Sequence, residues 1–169
     1  MNSYTKEKNM ARNKNTQIDT IMLDLQRRCA GNAALESMAS MVEDEFRRIF
    51  VVDSEVKNPE SRRINKILRA SRGLETGMKT FLLKYNNCPT ELKHQTMGGF
   101  MDSLLHPATG ATHRPLPSPV YDAVSVRDGC IRKKRNEYLH QAGVYPTITA
   151  TDRYIESVFQ FYATILSLA

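Results

Sequence analysis

Apolar positions recur along this chain every three or four residues, which is the period of a helix with one buried face. From Ile18 the positions Ile21, Met22 and Leu25 keep that spacing until Gly31 ends it. Asn32 is placed to cap a second helix, whose stripe runs through Leu35, Met38, Met41, Val42, Phe46, Ile49 and Phe50. The methionines of this stripe read as adaptable core filling. Asn58-Pro59 interrupts the pattern, and a short basic helix follows over 61–71 with Ile64, Ile67 and Leu68 inward. Arg62, Arg63, Lys66, Arg69 and Arg72 form its charged face, which reads first as solvated surface. After Gly73, the span Leu74 to Tyr85 continues helically despite Gly77.

A short helix containing Phe100, Met101, Leu104 and Leu105 is expected after the Gly98-Gly99 pair. Pro107, Gly110, Pro115, Pro117 and Pro119 then exclude a regular helix, so His106 to Pro119 is expected to be a long surface loop. From Val120 a helix with Tyr121, Val124, Val126 and Ile131 is expected to persist through His140, with Gly129 as its weak point and Gly143 and Pro146 ending it. Thr149 or Thr151 is the expected cap of the last helix. Its apolar positions, Tyr154, Ile155, Val158, Phe159, Phe161, Tyr162, Ile165, Leu166 and Leu168, cover more than one narrow face. Such a helix is central in the fold or part of a subunit interface. Period-two alternation is scarce and no internal repeat is visible, so the expected class is all-α.

Length and charge narrow this only slightly. The chain has 169 residues, enough for one hydrophobic core, and the expectation is a single helical domain over 16–169 preceded by a flexible basic arm over 1–15. Twenty-four Lys and Arg against 18 Asp and Glu give a net charge of +6, compatible with a polyanionic partner without specifying one. Cys29, Cys88 and Cys130 show no zinc-ligand rhythm, so reduced thiols and no bound metal or other cofactor are expected. No apolar run approaches the roughly 20 residues that span a bilayer, and the polar start lacks a secretion signal's apolar segment. A cytoplasmic protein with no membrane association is expected.

The candidate chemistry lies in RKKRNEYLH, residues 132–140. Arginine gives a permanent charge and up to five donors for phosphate oxygens, while histidine exchanges a proton near neutral pH. On one helix Asn136 and His140 share a face, but Arg135 is about 140° around the axis from His140 at about 100° per residue. Three arrangements bring Arg135 and His140 together: a long arginine stem, a helix end near His140, or a paired helix from another subunit. With them together, RNA cleavage needs no metal. The neighbouring 2′-hydroxyl attacks, His140 acts as base or acid, Arg135 stabilises the developing charge, and Asn136 orients the phosphate or the imidazole. Arg132, Lys133 and Lys134 are candidate electrostatic contacts to RNA. Tyr138 either stacks on a base or packs on the last helix, with packing the simpler role.

At these residues the chain resembles the HEPN superfamily, helical domains of higher eukaryotes and prokaryotes whose ribonuclease members carry Arg-x4-6-His, often with Asn directly after the Arg. Arg135, Asn136 and His140 match in order and spacing, on the penultimate expected helix and ahead of an apolar last one. The resemblance is confined to roughly residues 120–168. It implies a HEPN-like four- or five-helix up-and-down bundle, here with additional short helices and the proline-containing loop. A homodimer with two motifs facing across a composite cleft is implied as well. So is a metal-independent endoribonuclease acting as a toxin or phage-defence effector, with a cognate antitoxin as a further partner. One such antitoxin would be a nucleotidyltransferase, but the family variant with tyrosine two residues after the histidine is absent, since Ala142 stands there. The alternative function is a noncatalytic helical RNA-binding or protein-interaction domain. A helical transcriptional regulator ranks below both, because no compact helix-turn-helix signal is present.

Overall fold

A computed structural model describes residues 3–86, 95–141 and 143–169, with side chains from residue 16 onward. The expected thiol of Cys88 and the position of Ala142 lie outside the described residues. Every regular element among the described residues is helical and none is a strand. Helix α1, Ser3–Cys29, begins ahead of the expected Ile18 and takes up part of the segment read as an arm. Its residues Ile18, Ile21, Met22 and Leu25 are buried. Gly31, at φ +82°, turns the chain in the left-handed region. Asn32 then caps α2, Ala33–Glu55, by accepting from the Leu35 N–H at 3.2 Å. The buried stripe of α2 is Leu35, Ala39, Val42, Phe46, Ile49 and Val52, and Met41 points outward at 57% exposure.

Asn58 and Pro59 start a helix as well as ending one. Asn58 accepts from the Ser61 N–H at 2.9 Å and Pro59 occupies the first turn, where its missing N–H costs nothing. The helix they open, α3, runs unbroken over Pro59–Tyr85, where Gly73 was read as a boundary. Both of its interior glycines face large rings. A Cβ at Gly73 would run into the Phe46 ring, and one at Gly77 would sit 2.5 Å from Tyr162 Cε2. The glycines therefore set how closely α3 approaches α2 and the last helix.

Helix α4, Met97–Leu105, is capped by Thr96. The segment after it was expected to lie on the surface, but it is tied to the core. The Thr112, Arg114 and Leu116 N–H groups donate to the carbonyls of Tyr85, Leu168 and Leu104 at 2.7, 2.8 and 2.8 Å, and His113 and Leu116 are buried. A short α5, Ser118–Tyr121, passes into a π-helical turn, Asp122–Val126. The continuous helix expected from Val120 to His140 is divided at Gly129, whose φ of +74° is incompatible with a helix. Cys130 restarts it, its Sγ accepting from the Lys133 N–H at 3.4 Å at the head of α6, Ile131–His140. Thr147, rather than Thr149 or Thr151, caps α7, Ile148–Leu166, by accepting from the Ala150 N–H at 3.1 Å. Thr151 is instead buried inside that helix.

Helix α1 packs on α2, α2 on α3, α3 on α7 and α7 on α1, while α4 and α6 lie against α3. The breadth of the apolar face of α7 follows from this position. Phe46 meets Phe159 edge to face at 5.0 Å and Tyr162 at 5.9 Å, so aromatic packing joins α2 to α7 across the centre. Among the described residues, no helix is long and apolar enough to cross a membrane.

Candidate functional site

The short helix α6 distributes its basic run to different surroundings. The Arg132 guanidinium lies over Gly98 of α4, which has no side chain to displace it. Lys133 turns back to Asp128 at 2.8 Å, an exposed pair that holds the Asp128 carboxyl below its usual range. Lys134 reaches Glu137 at 2.7 Å, and that bond pushes its ammonium pKa upward; the same nitrogen is 5.4 Å from the centre of the Tyr138 ring. Tyr138 packs in the core cluster at 9% exposure, and it also lines an open groove beside α6.

Arg135 leaves the helix on the side facing α3. Its Nη1 donates to Asn136 Oδ1 at 3.2 Å and lies 3.2 Å from His140 Nε2. The arginine stem thus spans the angular gap around α6 within a single chain. Arg135, which the helix turns away from the face shared by Asn136 and His140, meets both through one nitrogen. An arginine N–H has only protons to offer, so this contact requires a lone pair on Nε2 and selects the imidazole tautomer protonated at Nδ1. Asn136 and His140 are exposed. These two side chains are open to solvent, while that of Arg135 is about one quarter exposed, at 26%.

The second branch of the guanidinium is held from α3. Nη2 lies 3.2 Å from Glu75 Oε1, with the two side chains about one quarter exposed, at 26% and 24%. Glu75 was not singled out by the sequence pattern. The signal for it was a lone carboxylate between two glycines, Gly73 and Gly77, on a helix whose other charged positions are mostly basic. One turn earlier, Ser71 Oγ donates to the Ile67 carbonyl at 2.8 Å and shares a 2.7 Å bond with the Tyr154 hydroxyl. Burial raises the Tyr154 phenol far above its ordinary range, against smaller opposing pulls from the Ser71 hydrogen bond and from Arg135. It therefore stays neutral beside the cation. Arg135 Nε is buried with no hydrogen-bond partner among the described residues, so the guanidinium is not fully satisfied as it stands.

No family model, curated protein or solved structure matches this chain. The chemistry of the site rests on its own geometry. Among the described residues no three His, Cys, Asp or Glu side chains gather as a metal-ligand set. A groove of about 560 Å³ opens on another face of α6, lined by Val124, Cys130, Lys134, Tyr138, Arg153 and Phe161 among others. Arg135, Asn136 and His140 do not line it, so size alone does not decide where the chemistry lies.

The basic face of α3, which reads from the sequence first as solvated surface, is largely engaged within the chain. Arg62 donates to the Val56 and Lys57 carbonyls and Arg63 to the Pro146 carbonyl. Lys66 pairs with Asp53, and Arg69 and Arg72 share Glu45. These contacts favour the reading of that face as ordinary helix surface over one reserved for a nucleic-acid backbone.

Proposed function

We propose that this chain is a HEPN-like, metal-independent endoribonuclease in which Arg135, Asn136 and His140 act on one phosphodiester. The observation that supports this best is the convergence of Asn136 Oδ1 and His140 Nε2 on Arg135 Nη1, each at 3.2 Å. A phosphate drawn to the guanidinium would lie within reach of the imidazole, the arrangement needed to stabilise a pentacoordinate phosphorane while a proton moves. The nucleophile is the RNA's own 2′-hydroxyl, so DNA is not cut. Arg132, Lys133 and Lys134 supply positive potential along the same helix. In keeping with the HEPN resemblance, the assembly is a homodimer with two such sites, acting as a toxin or phage-defence effector restrained by an antitoxin.

The test is incubation of wild type, H140A and R135A with total cellular RNA in EDTA, followed by mapping of new ends and their phosphates. Wild type should leave 2′,3′-cyclic phosphate ends. Each variant should fold and lose on the order of 10²-fold or more of the cutting rate. Equal cutting by wild type and H140A would sink this reading.

The engagement of Arg135 by Glu75 at 3.2 Å favours a second reading, a noncatalytic RNA-binding or protein-interaction domain in which the arginine is a structural ion pair between α3 and α6. In that case RNA or a protein partner is bound without being cut, and H140A leaves binding unchanged.

A further inference from the structure

We propose that Glu75 is the general base of the Arg135 site, taking the proton from the attacking 2′-hydroxyl while His140 gives one to the departing 5′-oxygen. This rests on the ribonuclease reading above and extends it to a residue of another helix.

Cleavage by an internal hydroxyl needs two proton transfers, one off the nucleophile and one onto the leaving group. The described part of α6 offers one imidazole to this site, and a single group cannot serve both ends of an in-line displacement at once. The folded chain brings a second proton-transfer group to the same cation. His140 Nε2 lies 3.2 Å from Nη1 of Arg135, and Glu75 Oε1 lies 3.2 Å from its Nη2. A planar guanidinium bearing one such group on each branch presents a phosphate with a proton acceptor to one side and a proton donor to the other.

The division of roles follows from what each contact demands. Both groups now accept from Arg135, so both carry lone pairs, and one has to gain a proton before it can act as the acid. Imidazole is the group that does so near neutral pH. Once Nε2 carries a proton it no longer accepts from Arg135, and the contact opens. That frees an Nη1 proton for a phosphate oxygen and leaves His140 charged beside it. A carboxylate's two oxygens offer about four acceptor sites, so holding Nη2 leaves Glu75 capacity for a hydroxyl proton.

In the reaction the 2′-oxygen bonds to phosphorus as its proton passes to Glu75. The bond from phosphorus to the 5′-oxygen breaks as His140 protonates that oxygen. The products are a 2′,3′-cyclic phosphate and a 5′-hydroxyl, with a neutral imidazole and a protonated carboxyl that exchange their proton through solvent. Atoms, charge and electrons balance with no further reactant.

The experiment uses the full chain, in EDTA, and an RNA oligonucleotide carrying a site mapped from cellular RNA. One form is ordinary and the other has sulfur in place of the bridging 5′-oxygen. Sulfur departs as a thiolate and does not need the acid. H140A should be slowed on the order of 10²-fold or more on the oxygen substrate and recover most of that on sulfur. Glu75→Gln keeps an oxygen that can accept from Arg135 but cannot take a proton, so it should be slowed comparably on both substrates. Glu75→Asp, which retains a carboxylate, should cut faster than E75Q. Should E75Q fail to fold by circular dichroism, E75D carries the comparison and should be slowed equally on both forms.

Cutting of the oxygen substrate by folded E75Q within about threefold of wild type would reduce Glu75 to an ion-pair partner and overturn the proposal. Recovery of E75Q or E75D on the sulfur substrate would overturn it too, by placing the carboxyl at the leaving group. These outcomes leave the ribonuclease reading intact, whereas failure of wild type to cut cellular RNA at all removes both together.

Discussion

Behind Arg135, the buried hydroxyls of Ser71 and Tyr154 share a 2.7 Å hydrogen bond, which joins the wall of the site to the core. Removing one partner differs from removing the other. Ser71→Ala strands a buried phenol hydroxyl and should cost about 1–3 kcal/mol, the penalty of an unsatisfied polar group. Tyr154→Phe removes that polar group, and Ser71 still donates to the Ile67 carbonyl, so its cost should be about 1 kcal/mol. Urea midpoints should place S71A below Y154F, and the reverse order would show that the Tyr154 hydroxyl finds another partner. At this scale Arg135, Asn136 and His140 were legible because they lie within one turn and a half of sequence. Glu75 was not, because its contact with Arg135 closes a loop of 60 positions and no local period reports it.

Among the elements, α3 shows how local propensity yields to packing. Glycine weakens a helix, which is why Gly73 suggested a boundary, yet the helix continues through it, and close packing requires glycine there because a side chain would meet Phe46. Gly77→Ala tests this directly. Alanine gains roughly 1 kcal/mol of helix propensity. Its Cβ would lie 2.5 Å from the fully buried Tyr162 ring, and such overpacking costs about 1–3 kcal/mol. The net should be a loss on the order of 1 kcal/mol, read as a lowered Tm, whereas a rise in Tm would show that Gly77 is only a weak helix residue. The caps divide in the same way. Asn32 acts as its position suggests, but Thr147 caps α7 in place of Thr149 or Thr151 because its extended backbone just ahead of Ile148 turns its hydroxyl onto the free N–H groups of the first turn.

For the whole molecule, the proline-containing segment between α4 and α5 acts as a strap, tying the ends of α3, α4 and α7 through its backbone while Leu116 is buried beneath it. Leu116→Ala should cost about 2–5 kcal/mol, as in a core helix, and a change under 0.5 kcal/mol in chemical denaturation would return the segment to an ordinary surface loop. The sequence by itself determined the all-helical class, the approximate extents of α2, α4 and α7, the central character of α7 and the candidacy of Arg135, Asn136 and His140. Those features follow from spacing, capping and contiguity, which act over a few residues. Only the tertiary structure decided that α3 is unbroken, that the helix toward His140 is split at Gly129, that the strap is anchored, and that Glu75 meets Arg135. Each depends on which surfaces touch across the fold, and a one-dimensional pattern of apolar and polar residues does not carry that information.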